Sequence, residues 1–152
     1  MTELITLLVA EDDPADVLLL QRALRLAQVH ARIEFVPDGV EAVRFLSAGV
    51  GRDAAEACPP PSLLLLDLKM PRMDGLELLR WLRTHPVLRP PLVVVFSSSN
   101  RQQDIDQVAR LGADHYLVKP SDPADLVRIV KRLEQYCLES PAAAGAGWCE
   151  RS

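Results

Sequence analysis

Short apolar runs alternate with amphipathic stretches along most of the chain. Five mostly apolar runs are too short to form helices, and Pro, Asp, Gly and Ser lie between them. Runs such as LLLL and LVVVF lack polar alternation, which indicates strands that are covered on both faces, as in a parallel sheet. The predicted strands are Ile5–Ala10, Ile33–Val36, Leu63–Leu66, Leu92–Phe96 and Tyr116–Val118.

The intervals between these runs have the pattern of helices. Apolar residues recur every three or four positions, and four intervals open with Asp followed by Pro or Gly, which is typical of a capped helix start. These openings are Asp13-Pro14, Asp38-Gly39, Asp74-Gly75 and Asp122-Pro123, and Gly112 is predicted to cap the fourth helix. Because strand and helix alternate five times, the pattern predicts an α/β fold with a doubly wound parallel sheet. Right-handed crossovers favour the flavodoxin-like strand order 2-1-3-4-5, with five helices.

Two segments fall outside this alternation. Residues 48–62, which include Cys58 and three consecutive prolines, are predicted to form a long surface loop. Residues 141–152 are rich in Ala and Gly and are expected to be a disordered tail, in which Trp148 is an unusual residue. The expected organisation is one domain over residues 1–140 followed by this tail.

Composition narrows the class of protein. The 152 residues are 49% hydrophobic, which suits one domain with a substantial core, and the net charge of −4 argues against nucleic-acid binding. Apolar stretches stay short of the ~20 residues that a membrane helix needs, and the acidic start Met-Thr-Glu is unlike a secretory signal. The three cysteines lack a zinc-binding spacing and are interpreted as reduced thiols, so we expect a cytoplasmic protein.

Polar residues follow the predicted strands at the points where they end. Glu11–Asp13 follow the first strand, Asp67 follows the third, Ser97 ends the fourth and Lys119 ends the fifth. In an open α/β sheet, ligands bind outside the carboxyl ends of the strands. The first and third strands are neighbours in the predicted order, so their acids are expected to converge on one crevice.

Such a cluster of carboxyls predicts a particular chemistry. Acids this close repel one another unless a counter-charge is present, and Mg²⁺ prefers carboxylates, waters and phosphate oxygens as ligands. A carboxylate beside such an ion can attack phosphorus and form an aspartyl phosphate, which makes Asp67 a candidate nucleophile. Lys119 would neutralise the oxygens of the transferring group, and the Ser97 hydroxyl could donate a hydrogen bond to it.

Four motifs give the chain a resemblance to a known family. They are LLVAEDD, LLLLDLKMPRMDG, VVVFSSS and GADHYLVKP, and they lie between about Leu4 and Leu138. In this order and spacing the chain resembles the receiver domains of two-component response regulators. The resemblance implies a phosphorylation switch that catalyses only its own phosphorylation and dephosphorylation, rather than a metabolic enzyme.

The resemblance assigns roles to residues of the acidic cluster. Asp67 matches the phosphoacceptor, and Asp12 matches the acid that ligates the metal directly. Glu11 matches the acid that acts through water, and the backbone carbonyl of Lys69 should complete the protein ligands. The implied cofactor is Mg²⁺, with Mn²⁺ as the alternative ion.

Three further residues match the part of the family that reads the phosphoryl group. Ser97 matches the hydroxyl that senses it, Lys119 the lysine that pairs with it, and Tyr116 the aromatic rotamer switch. Family usage also suggests a cis peptide bond between Lys119 and Pro120, which would turn the lysine into the crevice.

The resemblance also implies partners. The phosphoryl group should come from a sensor histidine kinase, and output should pass through protein contacts or a phosphorelay, with no effector domain expected in the chain. The EDDPAD opening is similar to that of stand-alone receivers that partner bacterial and cyanobacterial phytochromes. Members of that group often dimerise, and the apolar residues Val127, Ile129 and Tyr136 suggest the last helix as a contact, so we expect a homodimer that binds neither nucleic acid nor membrane.

The sequence leaves three alternatives open. A haloacid-dehalogenase-type phosphatase also uses an aspartyl phosphate and magnesium, but its second acid would occupy the position of Lys69. A flavodoxin-like binding module would need a Ser/Thr/Gly-rich phosphate loop where Glu11–Asp13 stand. A receiver that only docks would not need the complete set of site residues.

Overall fold

The computed structural model describes residues 5–47, 61–85 and 91–139, and strands and helices alternate through them as predicted. The strands are β1 (Ile5–Ala10), β2 (Ala31–Val36), β3 (Leu63–Leu66), β4 (Leu92–Ser97) and β5 (His115–Val118). The helices are α1 (Pro14–Leu26), α2 (Gly39–Ser47), α3 (Gly75–Thr84), α4 (Gln102–Arg110) and α5 (Pro123–Glu139). Most of the predicted 48–62 loop, with Cys58, and the predicted 141–152 tail, with Trp148, lie outside the described residues.

The sheet has the predicted order, β2-β1-β3-β4-β5, and each of its pairings is parallel. Three strands run slightly longer than the apolar pattern predicts. Ala31 and Arg32 pair with β1, His115 pairs with Val94, and Ser97 pairs with Val118. Backbone pairing extends the ladder through these residues whatever their polarity, which explains why the apolar pattern missed them.

Alternate residues of the central strands enter two cores, one on each face of the sheet. One core joins β1, β3 and β4 side chains such as Leu7, Leu65 and Val94 to α1 and α5. The other joins Leu8, Leu64 and neighbouring side chains to α2, α3 and α4. Each fully buried aliphatic side chain contributes roughly 1.5–3 kcal/mol, and this two-sided burial confirms the interpretation of the unalternated apolar runs.

The predicted caps place helix starts at the carboxyl edge of the sheet. The Asp13 carboxylate accepts a hydrogen bond from the Ala15 N–H at 2.9 Å, and Asp74 accepts one from the Glu77 N–H at 2.9 Å. Gly112 follows α4 with a φ of +91°, the left-handed conformation predicted for a C-terminal cap. Within the described part of the chain, no helix has the length and apolarity to cross a membrane.

Candidate functional site: acids and a lysine at the strand ends

Two backbone hydrogen bonds fix the acids that follow β1 and β3. The Glu11 N–H donates to the Val36 carbonyl at 3.0 Å, and the Asp67 N–H donates to the Ala10 carbonyl at 3.1 Å. Both bonds continue the sheet ladder by one residue, so parallel pairing holds the two acids side by side. One carboxylate oxygen from each of Glu11, Asp12 and Asp67 lies within 4.8 Å of the others. The convergence of the acids is thus a consequence of strand register.

Glu11 is the most enclosed member of this acidic trio. It is 4% exposed, whereas Asp67 is half-buried and Asp12 is exposed. Burial raises the pKa of Glu11 to about 7, although hydrogen bonds from Lys119 and from the Asp13 N–H act in the opposite direction. Because three carboxylates lie close together and one of them is buried, their charged forms need a nearby positive charge.

Lys119 supplies part of that charge. Its ammonium lies 2.6 Å from Glu11 Oε1, 2.7 Å from Asp16 Oδ2 and 3.3 Å from Asp67 Oδ2. Burial alone would lower the pKa of Lys119, but the three carboxylates outweigh it and hold this pKa above its usual range. The prediction of a cis Lys119–Pro120 bond was wrong, because the described residues contain no cis peptide bond. The bond from the Lys119 N–H to the Ser97 carbonyl, 2.8 Å long, holds the lysine backbone at this edge.

The loop after β4 connects the predicted sensing residues. Ser97 is buried, and its Oγ accepts a hydrogen bond from the Ser99 N–H at 3.1 Å. The Tyr116 hydroxyl donates to the Ser99 carbonyl at 2.6 Å, and the Ser99 hydroxyl donates to Asp104 of α4 at 2.5 Å. Ser97, Tyr116 and α4 therefore share one contact, Ser99.

Asp16 and Ser99 are site residues that the sequence pattern did not predict. Asp16 lies in the first turn of α1, four residues after Asp12. An acid in the first turn of a helix that starts at the same edge of the sheet could have indicated it. Ser99 stood in the serine run after β4, but nothing local distinguished it from Ser98. The side chain of Lys69 is exposed, and the metal role of its backbone carbonyl stays a prediction.

The loop that follows Asp67 is fixed to α2. The Arg72 guanidinium lies 2.7 Å from the Asp38 carboxylate, and the Gly39 N–H donates to the Met73 carbonyl at 2.9 Å. Burial would raise the pKa of Asp38, but the Glu41 N–H and Arg72 hold it below its usual range. These contacts hold the loop after Asp67 against the start of α2.

Gly75 closes the same loop against Asp67. Its N–H donates to the Leu68 carbonyl at 3.0 Å, and a Cβ at this position would lie 2.5 Å from the Asp67 carbonyl oxygen. We expect Gly75→Ala to lower the free energy of unfolding by about 1–3 kcal/mol, because the backbone carrying Asp67 must shift to relieve this overlap. Urea unfolding measures the change.

Glu77→Ala is the matched control for this substitution. Glu77 is exposed in the same helical turn, so its loss should change the free energy of unfolding by at most about 0.5 kcal/mol. A Gly75→Ala protein as stable as wild type would show that the close approach is not important.

Comparison with known proteins identifies the family. The profile described as the response regulator receiver domain matches residues 7–131. The chain belongs to this family. Phosphoryl acceptance on an aspartate is the function of receiver domains, and the match does not favour a haloacid-dehalogenase-type phosphatase. The predicted family and fold are confirmed.

Three relatives show which receivers are similar. Response regulator Rcp1 of Synechocystis is 33% identical over 140 residues, covering 90% of this chain and 93% of Rcp1, and its Mn²⁺-bound structure has a TM-score of 0.72. The phosphorylated cyanobacterial phytochrome response regulator RcpA is 33% identical, with a TM-score of 0.76 and coverage of 90% and 96%. A response regulator in red light signaling of R. palustris is 36% identical, with a TM-score of 0.76 and coverage of 88% and 93%.

Proposed function

We propose that this receiver takes a phosphoryl group on Asp67 from a partner histidine kinase and works as a switch in the cytoplasm. One observation carries the proposal. Asp67 stands in the acidic trio with Glu11 and Asp12 while its Oδ2 lies 3.3 Å from the ammonium of Lys119. A partly exposed carboxylate, flanked by acids that could hold a metal ion and faced by a cation, suits attack on phosphorus.

The transfer can be written for the residues of this site. An Asp67 oxygen attacks the phosphorus of a phosphohistidine whose other ring nitrogen is protonated. The new P–O bond forms as the P–N bond breaks, and neutral imidazole leaves with the electron pair. Lys119 pairs with one equatorial oxygen of the transferring group. Ser97 Oγ accepts from the Ser99 N–H and still has its own hydrogen to donate to another phosphoryl oxygen.

The donor set suits a hard divalent cation. Glu11, Asp12 and Asp67 offer three carboxylates within reach of one another, and Mg²⁺ takes carboxylate oxygens together with waters and phosphate oxygens. We assign Mg²⁺, with Mn²⁺ as the alternative, to Asp12 and Asp67 directly, to Glu11 through water and to the Lys69 carbonyl. When bound, the ion neutralises charge on the phosphoryl oxygens.

The route of output follows the contacts of Ser99. If the Ser97 hydroxyl turns towards the phosphoryl group, its hydrogen bond from the Ser99 N–H changes. Ser99 also accepts a hydrogen bond from the Tyr116 hydroxyl and donates one to Asp104 of α4. Tyr116 is therefore assigned the role of the aromatic switch. The signal would leave through protein contacts of this face or by phosphorelay.

A phytochrome-type histidine kinase is the proposed partner. The similarity to RcpA, a phytochrome response regulator, and to the red-light regulator of R. palustris supports this assignment. Charge supports the absence of nucleic acid among the partners, since the net charge is −4.

Phosphorylation of the wild-type protein tests the proposal. A small acyl-phosphate donor with Mg²⁺ should add one phosphoryl group that hydroxylamine releases, since it cleaves acyl phosphates. Chelating the divalent ion with EDTA should slow the gain by about a hundredfold or more, because the phosphoryl oxygens lose their main counter-charge. Intact-mass spectrometry measures both results, and an equal gain in EDTA would contradict the assigned metal role.

A homodimer through β5 and α5 is the expected assembly. In the described sheet β5 pairs only with β4, so its outer edge is free. Half-buried Ile129 and Tyr136 line a groove beside this edge with His115, Leu117 and Arg132, although both also pack against the core. Sedimentation should show a dimer that Ile129→Asp weakens by at least about tenfold, while Leu18→Asp, on exposed α1, leaves it unchanged.

A further inference from the structure

The ammonium of Lys119 has three carboxylate partners, and one of them lies outside the acidic trio. Asp16 Oδ2 is 2.7 Å from Nζ, nearly as close as Glu11 Oε1 at 2.6 Å and closer than Asp67 Oδ2 at 3.3 Å. The group of acids that could hold one metal ion contains Glu11, Asp12 and Asp67 but not Asp16. Asp16 therefore pairs with Lys119 but does not belong to the group that could hold a metal ion.

The fold holds Asp16 in this place. It belongs to the first turn of α1, which begins at the Asp13 cap and Pro14, while Lys119 directly follows β5. Packing of α1 against α5 and one face of the sheet holds this helix in place. The Lys119 side chain is 13% exposed and the Asp16 side chain 31%, so the pair is partly shielded from water.

We propose that Asp16 is a positioning residue that retains Lys119 in the resting site and competes with the phosphorylated aspartate for it. This inference rests on the proposed function of Asp67. An ammonium donates three hydrogen bonds, and here each one goes to a carboxylate. To pair fully with a phosphoryl oxygen, Lys119 must weaken one of these bonds, and the negative charge of Asp16 also repels the phosphoryl group.

Loss of the Asp16 charge should affect the binding of a phosphoryl group and the binding of Mg²⁺ differently. Without the Asp16 charge, Lys119 is free to pair with a phosphoryl group, so the phosphorylated form becomes more stable. The lysine also draws closer to Glu11 and Asp67, which lowers the attraction of the acidic trio for Mg²⁺ alone. A substitution that merely loosened the site would weaken both kinds of binding.

Beryllium fluoride, which mimics an aspartyl phosphate, tests this on the full chain at saturating Mg²⁺. In Asp16→Asn its apparent affinity should rise by up to about fivefold, the effect of one partly exposed ion pair, while Mg²⁺ affinity measured without fluoride stays equal or falls. Asp16→Glu, which restores the carboxylate, should return both affinities towards wild type. Titration calorimetry or intrinsic tryptophan fluorescence measures them.

Asp13→Asn is the matched control, because it removes the same charge three residues away while its amide oxygen can still cap α1. Its beryllium fluoride affinity should equal that of wild type. An unchanged or lower affinity in Asp16→Asn, or an equal rise in Asp13→Asn, would overturn the inference. Failure of the wild-type protein to bind beryllium fluoride would instead count against the proposed function of Asp67.

Discussion

Asp67→Asn should gain no measurable phosphoryl group from a small acyl-phosphate donor or from a histidine kinase. The amide has nearly the same shape as the carboxylate but is a far weaker nucleophile, so labelling should fall by at least about 10³-fold. Asp67 is half-buried, with its backbone N–H bonded to the Ala10 carbonyl, and that bond survives the substitution. Intact-mass spectrometry and radiolabel transfer measure the loss.

Asp74→Asn is a suitable control for this experiment. Asp74 follows the same strand and caps α3, and an asparagine retains the oxygen that accepts from Glu77. Its labelling should match that of wild type. A phosphoryl gain that persists in Asp67→Asn would move the acceptor to another residue and defeat the central assignment.

Lys119→Ala should separate metal binding from phosphoryl transfer. Loss of the ammonium removes the cation that faces the phosphoryl oxygens, so the transfer rate should fall by about 10²–10³-fold. Mg²⁺ should bind more tightly by about five- to tenfold, because a unit charge at ~4 Å contributes about 1 kcal/mol even at the dielectric constant of water. The carboxylates of Glu11, Asp16 and Asp67 lose their shared counter-ion in this variant.

Two variants support the interpretation of this result. Lys119→Arg retains the charge and should recover part of the transfer rate, while Mg²⁺ affinity stays near that of wild type. Lys131→Ala makes the same truncation at an exposed lysine of α5 and should leave both quantities unchanged. Weaker Mg²⁺ binding in Lys119→Ala would mean that the lysine organises the acids rather than competing with the ion.

With Asp67 as the proposed phosphoacceptor, the contacts of Lys119 describe the resting site. Asp67 is near its cation but makes the longest of the three lysine contacts, at 3.3 Å. The shorter contacts to Glu11 and Asp16 hold the ammonium beside Asp67. Under the proposed function, the counter-charge is therefore in place before a phosphoryl group arrives, and the bond to Asp16 is the one that has to weaken.

The candidate site could be predicted well where it depends on strand ends. Glu11, Asp67, Ser97 and Lys119 each follow or end an apolar run, and in a parallel sheet the carboxyl ends of the strands meet at one edge. Knowing the strand order was enough to bring them together. Their spacing in the chain, as large as 108 residues between Glu11 and Lys119, did not matter.

The sequence by itself thus determined the alternation of strands and helices, the helix caps and the set of acids at the edge, because these depend on local pattern and on simple rules of connection. Tertiary structure alone decided that Asp16 binds Lys119, that Ser99 joins Ser97 to Tyr116, and that the lysine reaches the acids without a cis bond. Those contacts depend on the direction in which each side chain leaves a packed helix or loop, and no local pattern records it.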